Sequence, residues 1–240
     1  MKLTLETEET EKLQQEEDSI VNPEAERYDV EMPRTRKEKV LAFMDIFGDL
    51  VFLNICFFVA SIPIVTMGAA MTALYRVMLK IVRKEEGEAI KSFWKYFARD
   101  FVPATKAWVI VIAVLAGIWG EYCYMVTTKG TVLALMIALI GIELVLLCFT
   151  VPLVFPLIAR YENKTFAYFK NALLLSYQKI GVWFRVFFSW IAPALLTISN
   201  PKVLYYGWYA WMFIVVSLVT YSNSMILRKM FDELEQEREK

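Results

Sequence analysis

The run Ser61-Ile-Pro-Ile-Val-Thr-Met-Gly-Ala-Ala70 lies inside a stretch, residues 45–83, that stays largely apolar for roughly twice the length of a membrane helix core and carries one helix breaker, Pro63. Basic residues flank it on both sides. Arg34, Arg36, Lys37 and Lys39 precede it, and Arg76, Lys80, Arg83 and Lys84, then Lys91, Lys95 and Arg99, close and follow it. A single crossing would put these clusters in different compartments, against the excess of Lys and Arg on cytoplasmic loops. A hairpin that goes out over 46–62, turns over 63–68 and returns over 69–82 keeps both clusters on the cytoplasmic side.

Working outward, four later runs, 104–126, 131–158, 182–198 and 204–225, are each long enough to cross about 30 Å of hydrocarbon. The sequence therefore predicts an all-α polytopic membrane bundle with six crossings and both termini cytoplasmic; a re-entrant or bent first segment would give five. The other loops agree in charge. The outer connections carry Lys129 and Lys202, whereas the inner ones carry Arg160, Lys164, Lys170 and Lys179, with Arg228 and Lys229 near the C-terminus. Tyr122, Tyr124, Tyr205, Tyr206, Trp208 and Tyr209 fall at the expected outer boundary, where amphipathic rings settle.

Composition points the same way. The 240 residues are 58% hydrophobic and 15% aromatic, more apolar surface than a water-soluble domain of this size hides. Net charge is zero but segregated, because residues 1–31 hold eleven acids against Lys2, Lys12 and Arg27. Residues 1–38 read as an acidic, disordered cytoplasmic tail, since acids without a sustained apolar stripe cannot offset the entropy of ordering. Their charge has the wrong sign for a cleavable signal. Residues 39–230 form one transmembrane domain, and 231–240 a charged cytoplasmic end.

Two inner stretches are amphipathic. In 88–101 Ile90, Phe93, Trp94, Phe97 and Phe101 recur at helical spacing while Lys91, Lys95 and Arg99 lie off that stripe; Phe166, Phe169, Leu173, Tyr177 and Ile180 repeat the pattern in 164–180. Both are expected to lie at the membrane surface, aromatics in the headgroup boundary and cations toward anionic lipid.

The absence of histidine removes the usual general base near neutral pH and imidazole metal sites. Cys56, Cys123 and Cys148 are isolated and read as packing residues. No nucleotide-binding glycine loop is present. The expectation is a non-enzymatic protein with no cofactor, no metal and no nucleic-acid partner.

The hairpin Ser61-Ile-Pro-Ile-Val-Thr-Met-Gly-Ala-Ala-Met-Thr-Ala-Leu-Tyr75, then Glu86-Gly-Glu88, Phe93-Trp-Lys-Tyr-Phe97, Phe155-Pro-Leu-Ile-Ala-Arg-Tyr161 and Lys170-Asn-Ala-Leu-Leu-Leu175 resemble the YesL-like family of bacterial integral membrane proteins (domain of unknown function 624). The likeness runs from about Lys39 to Arg228. The resemblance implies a bacterial cytoplasmic-membrane protein associated with carbohydrate uptake, and hence a sugar ABC transporter or another membrane protein as partner. It brings no catalytic residues.

Its best-matched positions are Pro63, Gly68, Pro156, Arg160 and Asn171. Pro63 can set the turn and Gly68 can allow close helix approach. Pro156 is expected to kink the fourth span, Arg160 to reach phosphate or a helix C-terminus, and Asn171 to bond a neighbouring loop. Glu143 is the sharpest isolated feature, because it falls near the middle of the fourth span, where an ionised carboxylate is costly. Asn54, Ser189 and Ser217 count to a similar depth, so a midplane polar layer is expected, serving either a substrate or proton site or bundle packing. Arg76 and Arg185 are expected to snorkel to the inner surface.

Overall fold

The computed structural model describes residues 36–85, 87–199 and 201–238, with side chains described from Met44 onward except at 201, 202, 204, 206 and 238. The acidic tail through residue 35 and Glu86 of the family motif lie outside the described residues. Within them the chain forms α1 (Arg36–Ala60), a 3-10 turn (Ile64–Thr66), α2 (Met67–Arg83), α3 (Ala89–Met125), α4 (Thr131–Arg160), α5 (Thr165–Gln178), α6 (Ile180–Ile198), α7 (Pro201–Ala210), a π turn (Trp211–Val215) and α8 (Val216–Arg238). Among the described residues, five helical segments are long and apolar enough to cross a membrane: Ile64–Arg83, Ala89–Met125, Thr131–Arg160, Ile180–Ile198 and Gly207–Glu237. No strand occurs among the described residues.

The opening stretch does fold into two helices joined by a tight turn. Pro63, at φ −76°, starts the 3-10 turn, an angle its ring favours. The Thr66 hydroxyl lies 2.6 Å from the Ala60 carbonyl and 2.7 Å from that of Pro63, and the Trp108 indole N–H donates to the Ile64 carbonyl at 2.7 Å. Polar backbone atoms of an apolar turn are thus satisfied by protein, as lipid requires. α2 ends at Lys84, whose left-handed φ of 61° lets its N–H return to Ile81.

α2 is the hub. Eleven of its 17 residues are buried, with α1, α3, α4 and α8 packed around it. Its first turns, Gly68, Ala69, Ala70 and Ala73, carry almost no side chain, which lets neighbouring backbones approach. At Gly68 a Cβ would stand 2.5 Å from Trp108 Cβ and 2.8 Å from the Ala104 carbonyl oxygen. Neither atom is the free end of a flexible side chain.

One expectation needs correction. The amphipathic stretch 88–101 is no separate surface helix but the first part of the 37-residue α3. Its stripe is divided: Phe93 is fully buried in the protein core, whereas Ile90 and Trp94 stay exposed. The helical period was right, but α2 rather than the headgroup layer covers half of the face. α5 is a separate helix, and Phe166 and Tyr177 are about 80% exposed (79% and 80%) while Tyr168, Ala172, Leu175 and Ser176 pack inward, as a surface helix requires. Trp119, Tyr122, Tyr124, Tyr205, Trp208 and Tyr209 are all exposed, in keeping with an aromatic boundary.

The Trp108 contact also sets heights. α3 continues 17 residues past Trp108 to Met125, about 25 Å at helical rise, so the first turn stops well short of the α3–α4 connection. An impermeant maleimide applied to the side of that connection is expected to label Cys123 as a lone thiol and to leave a lone Ile64→Cys unlabelled. Equal labelling of the two would place the turn at that surface.

Gly68→Ala is expected to lower thermal stability in detergent by about 1–3 kcal/mol, the range for overpacking. Gly141→Ala, where an added Cβ meets nothing within 4 Å, is expected to be neutral or to raise stability by less than about 1 kcal/mol.

Candidate functional site

Two clusters of polar side chains lie inside the bundle. Asn54, on α1, sits against the π turn, donating through Nδ2 to the carbonyls of Trp211 (2.8 Å) and Met212 (2.6 Å) and accepting at Oδ1 from the Ser217 N–H (2.8 Å). A π turn breaks the regular i→i+4 ladder, and one amide with a donor and an acceptor side by side repairs both ends of the gap. Beside it, the Tyr75 hydroxyl accepts from the Trp190 indole N–H (3.3 Å) and Asn223 Nδ2 (3.4 Å), and Ser189 Oγ lies 2.7 Å from Asn223 Oδ1.

The expected midplane layer is therefore split. Asn54 meets the Ser217 backbone, Ser189 meets Asn223, and Glu143 joins neither. Glu143 lines a separate hollow of about 650 Å³ between α3, α4 and α5, together with Leu147 and Lys170, and its Oε2 is buried without a hydrogen-bond partner. α4 is longer than a membrane core at 30 residues, and its buried residues begin only at Thr150. Counting along the chain put Glu143 near the middle of the fourth span, and the structure adds that it lies beside α5.

Where α2 meets the first part of α3, the predicted snorkelling of Arg76 is overturned. Arg76 Nε lies 2.7 Å from Asp100 Oδ2, with the two side chains 13% and 8% exposed. Arg76 also donates to the Ile158 carbonyl at 3.2 Å and lies over the Tyr96 ring, as does Lys80. One guanidinium thus ties α2 to α3 and α4. Arg185, by contrast, is exposed and bonds the Gly181 carbonyl of its own helix.

The other predicted cations are also largely engaged. Arg160 makes a two-pronged contact with Glu235 of α8, Nε at 3.0 Å and Nη2 at 2.9 Å, the favoured guanidinium–carboxylate geometry. Arg99 pairs with Glu162 at 2.6 Å rather than facing lipid, Arg83 pairs with Asp232, and Lys179 with Glu233 at 2.9 Å. The Glu233 carboxylate holds the Lys179 ammonium above its ordinary pKa. Lys91 keeps an exposed contact to Glu88 at 3.4 Å, and Lys95 is exposed. Asn171 is exposed on the rim of a hollow between α4, α5 and α8, and its expected bond to a neighbouring loop is not formed among the described residues.

α4 passes through Pro152 and Pro156 without interruption. Pro152 has no N–H for the Cys148 carbonyl four residues earlier, and the Trp183 indole N–H takes its place at 3.2 Å. Sequence reasoning missed this repair as it missed Asp100, Tyr75 and Asn223. Only Pro152 carried a readable signal, the carbonyl that a proline in a helix leaves free.

A cavity of about 580 Å³ lies against Gly68 among α2, α3, α4 and α6, walled by Met71, Trp108, Leu147, Phe155 and Trp190 with Tyr75 at its side. Its volume suits a small ligand, but its apolar walls lack the converging polar groups that fix one in place. No group of three or more metal-ligating side chains occurs among the described residues.

Residues 50–120 match the family model described as Protein of unknown function, DUF624, consistent with assignment to the DUF624 or YesL-like family. The matched stretch contains Asn54, Pro63, Gly68, Arg76, Asp100 and Trp108, that is, the hub and the buried ion pair. No curated protein and no solved structure matches the chain.

Arg76→Met or Asp100→Leu alone is expected to cost about 3–5 kcal/mol, because each strands a buried charge. The double replacement is expected to recover most of that loss in a thermal unfolding series. Additive losses would show that the two side chains act independently.

Proposed function

We propose that the chain is a non-enzymatic, multi-pass accessory protein of the bacterial cytoplasmic membrane that serves carbohydrate uptake by holding a partner membrane protein, with both termini in the cytoplasm. The supporting observation is how the interior polar groups are used. Asn54, Tyr75, Ser189, Asn223, Arg76 and Asp100 are all engaged with other helices of the same bundle, and the cavity beside them is apolar. Sugar recognition needs clustered donors and acceptors that remain free for hydroxyls. An interior spent on self-assembly suits a scaffold better than a conduit. The link to carbohydrate comes from the family resemblance.

The test is deletion of the gene in its native bacterium together with purification of the tagged chain in mild detergent. Slower growth on a transported oligosaccharide and co-purification of that sugar's transporter subunits are expected. Unchanged growth together with recovery of no transporter component would remove the proposal.

One observation favours a second reading, a small secondary transporter or exporter routed past Glu143: the partnerless Oε2 of that residue. Under it Glu143→Gln abolishes substrate-dependent flux in proteoliposomes while leaving expression unchanged. Equal flux from mutant and parent would eliminate it.

A further inference from the structure

Glu143 is the one acid of α4 and stands where that helix leaves the protein core. Residues 131–146 of α4 are largely exposed, whereas Thr150 and 153–159 are buried. Its hollow is walled by Val114, Leu146, Leu147 and Phe166, with Lys170 as the cation. Lys170 is exposed on the surface helix α5 and has no ion pair among those described. The hollow thus offers one carboxylate whose buried oxygen lacks a donor, one unpaired ammonium and apolar walls.

A buried polar atom without a partner calls for one, and an acid at this depth is expected to bind a specific group. An anionic lipid would meet Lys170 but be repelled by Glu143; a simple cation would leave Lys170 and the apolar walls unused. The complement is an amphiphile that carries both charges next to its chains. Its cation must also donate hydrogen bonds, because Oε2 lacks a donor.

We infer that Glu143 and Lys170 form the headgroup site of phosphatidylethanolamine, whose ammonium donates to the Glu143 carboxylate while its phosphate accepts from the Lys170 ammonium. The acyl chains lie against Val114, Leu146 and Phe166. Proton transfer is not required, so the site is distinct from a transport route. It also stands independently of the accessory role.

The full-length chain, delipidated in mild detergent, is titrated with phosphatidylethanolamine, phosphatidylcholine and phosphatidylglycerol of matched chains, and bound lipid is counted by native mass spectrometry. Phosphatidylethanolamine is expected to bind most tightly, since the methylated ammonium of phosphatidylcholine cannot donate. Glu143→Gln is expected to weaken it roughly tenfold, to the level of phosphatidylcholine, as loss of one charge-assisted hydrogen bond implies. Lys170→Gln should weaken both zwitterionic lipids alike. Equal binding of the two by the parent, or preference for phosphatidylglycerol, overturns the site even if neither variant folds. So does Lys170→Gln that lowers the melting temperature as much as Glu143→Gln without moving lipid binding, which would make the two side chains each other's partner.

Discussion

The contact between Gly68 and Trp108 governs the rest of the bundle. In hydrocarbon there is no hydrophobic drive between helices, so association depends on close packing and hydrogen bonds. α2 meets this constraint at its first turns, where absent side chains let the backbone of α3 approach until Trp108 Cβ fills the space a Cβ at 68 would take. The same tryptophan donates to the Ile64 carbonyl. One residue therefore sets the spacing of two helices and satisfies the turn that joins α2 to α1. Its ring also meets Phe155 of α4, at a centroid separation of 6.0 Å, which carries the spacing to a third helix.

Once α2 is central, the polar residues have a common logic. Each sits where a helix has lost a regular backbone bond or where several helices meet. Asn54 repairs the π turn, Trp183 repairs the carbonyl left by Pro152, and Arg76 joins α2 to α3 and α4. Such groups are expensive in lipid unless fully paired, so they restrict which helix rotations the bundle can adopt. That restriction accounts for their burial without any appeal to a substrate.

What the sequence disclosed follows the range of the forces involved. Helices, the turn at Pro63 and the need for a small residue at Gly68 are local or depend on period, and they were legible. The Arg76–Asp100 pair, 24 residues apart, and the Tyr75–Asn223 contact, 148 apart, depend on rotations about helix axes that periodicity leaves free. The stripe from Ile90 to Phe101 shows the same boundary, since spacing identifies an apolar face but does not say whether protein or lipid covers it. What lies beside Glu143 was hidden for the same reason, because the hollow it lines is closed by α5, a neighbour that spacing along α4 does not name.

The charged end of the bundle carries two constraints that act at different times. Orientation during insertion responds to Lys and Arg near the ends of spans and hardly to acids, so Arg83 and Arg160 can bias α2 and α4 before α8 supplies their partners. Asp232, Glu233 and Glu235 belong to the last helix and follow every cation they neutralise. When α8 docks, Arg83, Lys179 and Arg160 exchange water for those carboxylates, and the cations that fixed the direction of the early helices become the bonds that close the bundle. Acids placed in the first helices would have met the same cations as local pairs and left α8 without them. Docking of α8 therefore closes this charged end of the bundle, where Phe231 is buried.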